Sequence, residues 1–169
     1  MSEPMERRSF LTRAWKTGAG FLAGAGAWTS WDLLRPRNAA GFNAKIRTVS
    51  PDTVPANTVL EIPEARAYLT KINDEIVALS EVCSHLGCRV PFCDSSGQFE
   101  CPCHGSFFNR AGDLQGGPAP RGMDRFKIEI VDGVIEIDTA ERESGAPPGT
   151  VTINEPPRGP PCTEGGHGA

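Results

Sequence analysis

A chain of 169 residues with a formal charge of −4 allows one modest domain with appendages. Its 19 glycines and 15 prolines favour short strands and loops over long helices. The acidic balance, with a pI near 5.4, excludes nucleic acid as a partner.

In chain order, Arg7-Arg8-x-Phe10-Leu11 resembles the twin-arginine export motif, with Glu6 where Ser or Thr is usual. Residues 17–31 then carry no charge, which is short of the roughly 20 residues a spanning helix needs. Extended over 13–34, with Lys16 snorkelling and Trp15, Trp28 and Trp31 near the interfaces, the segment is predicted to span a bacterial cytoplasmic membrane. Arg7, Arg8, Arg13 and Lys16 place its N-terminus on the cytoplasmic side, against Arg35 and Arg37 beyond it. Gly20-x-x-x-Gly24 would allow close packing on a partner helix. The alternative fate is cleavage after Ala25-Gly26-Ala27. The expected organisation is a signal and anchor helix over 1–34 and a linker over 35–44, rich in Pro, Gly and small residues.

Residues 45–80 read as strands: K-I-R-T-V, T-V-L-E-I, A-Y-L-T-K-I and E-I-V-A-L-S, broken at Pro51, Pro55, Pro63 and Asn73-Asp74. The stretch 83–106 follows, holding five of the six cysteines and two of the three histidines. It reads C-S-H-L-G-C, then a spacer containing Cys93, then C-P-C-H-G-S. Cys83-x-His85 and Cys101-x-x-His104 each put one thiolate and one imidazole on a tight loop. Cys2His2 is also a zinc set, although zinc fingers pair Cys with Cys and His with His. The mixed loops suit a diiron site with two thiolates on one iron and two imidazoles on the other.

C-S-H-L-G-C and C-P-C-H-G-S resemble the two boxes of the Rieske [2Fe-2S] family. The resemblance implies a mainly β fold: a small antiparallel barrel or sandwich over 45–139, with a cluster-binding subdomain at about 81–122. It implies one [2Fe-2S] cluster per chain, Cys83 and Cys101 on one iron, His85 and His104 on the other, and a Cys88–Cys103 disulfide bracing the loops. With the ligands so assigned, the remaining thiols suit an oxidising compartment, and a folded cluster protein requires the twin-arginine route. In high-potential relatives a Ser at the position of Ser106 donates to a cluster sulfide, and a Tyr two residues on donates to a ligand sulfur. Phe108 stands there instead, so one hydrogen bond is expected to be missing and the potential lowered. Gly116-Gly117-Pro118-Ala119-Pro120-Arg121 resembles the proline loop that covers the cluster in quinol-oxidising complexes. R-F-K-I-E-I-V, Asp132-Gly133 and V-I-E-I-D form a hairpin. The Gly/Pro-rich tail over 140–169 is expected to lack regular structure, apart from a short edge strand that T-V-T-I-N could add. Cys93 and Cys162 are left to pair with each other, to stay free, or to bond between chains. His167 reads as a tail residue.

The function this implies is the Rieske subunit of a cytochrome bc-type quinol–cytochrome c oxidoreductase, an electron carrier alone and part of an enzyme in the complex. Its partners would be a cytochrome b subunit, a c-type cytochrome and a quinol, with menaquinol matching a lowered potential. His104, with His85 as second candidate, would meet quinol and accept its proton. The anchor would hold the head outside the cytoplasm, in the periplasm, on a hinge at 35–44. The alternative reading is the electron-transfer subunit of a periplasmic molybdenum oxidase.

Overall fold

The computed structural model describes residues 7–35 and 44–163; residues 36–43 of the hinge predicted at 35–44, and His167, lie outside the described residues. Two compact units divide the chain, one around the N-terminal helix and one holding every strand.

Helix α1, Arg7–Leu34, runs 28 residues with none of them buried. At 1.5 Å per residue it is about 42 Å long, so length alone would let it span a bilayer. Composition does not. Gly18, Gly20, Gly24 and Gly26, interleaved with alanines, threonines and Lys16, bring little apolar surface. No helix among the described residues is long and apolar enough to cross a membrane. This overturns the expected transmembrane anchor, and with it the expected placement in a bacterial cytoplasmic membrane with the head outside.

The second unit is a mainly β half-barrel. Its strands are β1 (Lys45–Arg47), β2 (Leu60–Ile62), β3 (Ala67–Ile72), β4 (Glu75–Ser80), β5 (Phe92–Cys93), β6 (Gln98–Glu100), β7 (Phe107–Phe108), β8 (Leu114–Gly116), β9 (Arg125–Val131) and β10 (Val134–Glu143). Six form an antiparallel sheet in the order β1-β10-β9-β4-β3-β2, and four form a second in the order β5-β6-β7-β8. Both tight hairpins turn on two residues of positive φ, Asn73-Asp74 between β3 and β4 and Asp132-Gly133 between β9 and β10, as the strand twist demands.

The wall between the two sheets explains why β3 lacks an alternating burial pattern. Successive side chains on a strand point to opposite faces, and here both faces are covered. Ala67 and Leu69 join Ile62, Ala78, Phe126, Ile135 and Ile137 in the barrel core. Tyr68 and, from β4, Leu79 point the other way, into a second core with Val90, Phe99, Phe108 and Met123. That second core carries the two loops of the candidate site.

Residues 144–163 contain no helix or strand, so the edge strand expected at T-V-T-I-N does not form. The segment is nevertheless held along its length as a strap. Gly145 N–H donates to Asp124 Oδ1, Thr152 N–H and Oγ1–H to the Asp113 carboxylate, and Arg158 N–H to the Ser96 carbonyl. A Cys93–Cys162 disulfide fastens its end. Composition foretold the missing regular structure, and long-range polar contacts supply order in its place.

Candidate metal centre

The two motif loops share one backbone pattern. Cys83 N–H donates to the Cys88 carbonyl (2.8 Å) and Gly87 N–H returns to the Cys83 carbonyl (3.0 Å). Cys101 N–H donates to the Ser106 carbonyl (2.8 Å) and Gly105 N–H to the Cys101 carbonyl (3.1 Å). The offsets are the same in both loops. Gly87 (φ +81°) and Gly105 (φ +73°) close the turns in the left-handed region that other residues avoid. Cys83 thus corresponds to Cys101, His85 to Cys103, Leu86 to His104, and Cys88 to Ser106.

This near-symmetry brings the chemistry together. Cys83 and Cys101 are free and buried, 3% exposed each, in the second core. The rings of His85 and His104 meet edge to face, with centroids 4.9 Å apart. Cys88 and Cys103 are joined as a disulfide across the loops. The sulfurs of Cys88, Cys101 and Cys103 lie within 4.8 Å of one another, but two of the three are already bonded to each other, leaving Cys101 as the free thiol. Burial pushes the Cys83 thiol up from its ordinary value, against the pull of the His85 and Leu86 amides that hydrogen-bond its sulfur. Amides directed at a cysteine sulfur favour its thiolate, the form that binds metal.

A third segment bolts the loops in place. Ser84 Oγ–H donates to the Arg121 carbonyl (2.7 Å), and Ser106 Oγ accepts from Ala119 N–H (3.1 Å). Gly117 sits so close that a Cβ there would meet the Gly105 carbonyl at 2.7 Å. The loop 117–121 therefore contacts both motif loops through serine hydroxyls. Ser106 is buried and donates to no protein acceptor among the described residues, so its hydroxyl hydrogen is available to a bound group.

Two carboxylates stand behind the loops. Burial alone would raise the Glu81 carboxyl; hydrogen bonds from Arg66 (2.6 Å) and Arg89 (2.9 Å) outweigh it and hold the group below its ordinary value. Arg89 also pairs with Glu61. Glu100, next to Cys101, is held down in the same sense: burial opposes, while Ser96 Oγ–H, the Thr163 and Cys162 amides and the Thr163 hydroxyl prevail. Sequence reasoning missed Ser84, Glu81 and Glu100. Only the placement of Glu100 directly before Cys101 hinted at the last.

The donor set fits an iron–sulfur group: two buried thiols, two imidazoles and inward-pointing amides form a sulfur-and-nitrogen site with little solvent access to the sulfurs.

Comparison with known proteins bears on the same residues. The Rieske [2Fe-2S] domain family matches over residues 44–127. The chain is 44% identical over 157 residues to the cytochrome b6-f complex iron-sulfur subunit of Gloeobacter violaceus, covering 79% of this chain and 83% of that one. It is 30% identical over 148 residues to cytochrome b6-f complex iron-sulfur subunit 1 of Synechocystis, covering 78% and 83%. Among solved structures, the cyanobacterial plasma membrane Rieske protein PetC3 from Synechocystis aligns with 29% identity and a TM-score of 0.37, over 42% of this chain and 74% of that one.

Proposed function

Because the chain belongs to the Rieske [2Fe-2S] family, as an electron-carrying subunit related to those of cytochrome b6-f and bc complexes, we propose that it oxidises quinol within such a complex. Cys83 and Cys101 would hold one iron of the cluster, and His85 and His104 the other. The edge-to-face contact of His85 and His104, on the same two loops that carry the buried free thiols and are joined by the Cys88–Cys103 disulfide, carries this reading. The relatives are named as iron-sulfur subunits of cytochrome b6-f complexes, and in such a complex its partners are a cytochrome b subunit and a c-type cytochrome.

When bound, the cluster supplies reversible one-electron transfer. The protein does the rest. His104, exposed at the tip, presents the free nitrogen of its ring to the quinol hydroxyl, accepts its hydrogen bond and then its proton. His85, half-buried beside it, holds the second position. The core of Tyr68, Val90, Phe99, Phe108 and Met123 keeps water from the sulfurs. Ala119 N–H fixes the Ser106 oxygen, and the Ser106 hydroxyl would donate to the bound group.

The test is an electron paramagnetic resonance titration of the full chain with its cytochrome partners, with and without a quinol-site inhibitor. A Rieske signal with two nitrogen couplings, shifted in g by the inhibitor, is expected. A signal indifferent to the inhibitor would remove the quinol reading, and zinc in place of iron would remove the centre itself.

Phe108 is fully buried against the same core as both thiols and offers no hydrogen bond to a ligand sulfur. The lowered potential that follows suits menaquinol as donor. Phe108→Tyr is expected to raise the midpoint by roughly 40–60 mV, the one-electron equivalent of about 1–1.5 kcal/mol for one added hydrogen bond. An unchanged midpoint in a folded, cluster-bearing variant would show that other dipoles set it.

A further inference from the structure

The two disulfides stand in different settings. Cys88–Cys103 spans 15 residues and ties one motif loop to the other. Cys93–Cys162 spans 69 residues and ties the end of the strap to the outer face of the small sheet. Pairing fixes which residues share that face. Phe92, Phe99, Phe108 and Leu114 form the inner row, while Cys93, Gln98, Glu100, Phe107 and Gly116 look outward under the strap.

The strap is held unevenly. Up to Glu155 it is pinned by the Asp113 carboxylate and by Arg110, whose guanidinium is 5% exposed. Beyond Glu155 the strap stands over a pocket, although Gly159 packs tightly on the Ser95 carbonyl, where a Cβ would come within 2.7 Å. A cavity of about 170 Å³ lies between Pro157, Gly159 and Pro161 on the strap and Ser96, Gln98, Glu100 and Phe107 on the sheet. Gln98 Oε1, in its wall, is buried without a hydrogen-bond partner, which is costly in a well-packed interface. Apart from the disulfide, the end segment is held by polar bonds: Arg158 N–H to Ser96, the Arg158 guanidinium to the Asn57 carbonyl and Glu155, Ser95 Oγ–H to the Pro160 carbonyl, and the Cys162 and Thr163 donors on Glu100.

We propose that Cys93–Cys162 is a second redox site, a latch opened by a dithiol able to close its own disulfide, which locks residues 156–163 over the outer face of the cluster-bearing sheet. The attack is one-sided. Cys162 is exposed while Cys93 is 2% exposed, so the incoming thiolate bonds to Cys162 Sγ and the Cys93–Cys162 bond breaks. Cys93 leaves as the thiolate and takes up a proton. The second thiol of the reductant then attacks the mixed disulfide, freeing Cys162 as a thiol and carrying away the new disulfide. In sum two electrons and two protons enter the chain, and the dithiol is oxidised. Ser95 Oγ lies 3.1 Å from Cys93 Sγ. Once the strap lifts, its hydroxyl is released from Pro160 and turns to the leaving sulfur. Opening also strips Glu100 of its three strap donors. A carboxylate 4% exposed cannot stay buried on Ser96 alone, so β6 admits water directly before Cys101.

The test uses the full-length, cluster-bearing chain, treated with graded dithiothreitol, then alkylated and mapped by mass spectrometry beside amide hydrogen exchange. Cys93 and Cys162 are expected to be alkylated at a dithiol level at least tenfold lower than Cys88 and Cys103. Exchange across 156–163 should then speed up at least tenfold, while the Thr152 amide stays protected. A Cys162→Ser chain should show the open pattern without reductant. Reduction of Cys88–Cys103 first, or a reduced latch with unchanged exchange over 156–163, would overturn the proposal. Both readouts are taken on the unmutated chain, so they decide the matter even if the variant fails to fold.

Discussion

A His104→Ser chain is expected to lose its iron almost entirely, whereas Leu86→Ser keeps it. The two positions correspond through the shared hydrogen-bond pattern of the loops, and both are exposed, Leu86 at 70%. Place alone does not make a ligand; the imidazole does. Residues that only orient a ligand are worth about 10–100-fold in metal affinity, so removal of the ligand itself should exceed about 100-fold. Cys83→Ser, Cys101→Ser and His85→Ser should behave as His104→Ser does. Iron and sulfide analysis beside the paramagnetic signal checks this, with circular dichroism to show that the β domain still folds. A His104→Ser chain that retains two irons and both nitrogen couplings would move the ligand set elsewhere.

The motif loops were legible because their chemistry is local: each box places its thiol, imidazole and glycine within six residues, and the turn follows from the glycine. The terminal hairpin was legible for the same reason, through alternation on either side of Asp132-Gly133. The expectations that failed rested on composition over long stretches. The segment 13–34, built around an uncharged run, read as a spanning segment, yet four glycines within α1 leave a long helix too poor in apolar surface. In the tail, the lack of regular structure was legible from Gly and Pro, but the edge strand expected at T-V-T-I-N does not form, and no local pattern shows that Thr152 meets Asp113 or that Cys162 meets Cys93. Those partners lie dozens of residues away. The two unassigned cysteines were the one available sign that the tail returns to the domain.

The strap also makes a thermodynamic prediction, through Arg110 and Glu155. The Arg110 guanidinium donates to Thr70 Oγ1 (2.9 Å), to the Lys71 carbonyl (2.5 Å) and to both oxygens of Glu155 (2.5 and 3.1 Å). It thereby joins β3, the cluster subdomain and the strap. Glu155→Ala leaves a buried cation with neutral partners only. Breaking one side of such a pair costs about 3–5 kcal/mol, and the 29% exposure of the Glu155 side chain places the effect near about 3 kcal/mol, since water reaches the site. The pH dependence follows from the hydrogen bonds of Arg110, which hold the Glu155 carboxyl below its ordinary value despite partial burial. A group lowered on folding contributes fully above its unfolded value, near about 4.3, and its contribution disappears as pH falls through the folded value. Urea unfolding at neutral pH should therefore separate Glu155→Ala widely from the unmodified chain, and the gap should close in acid. A gap that stays constant through that range would mean that Glu155 acts by packing rather than by charge.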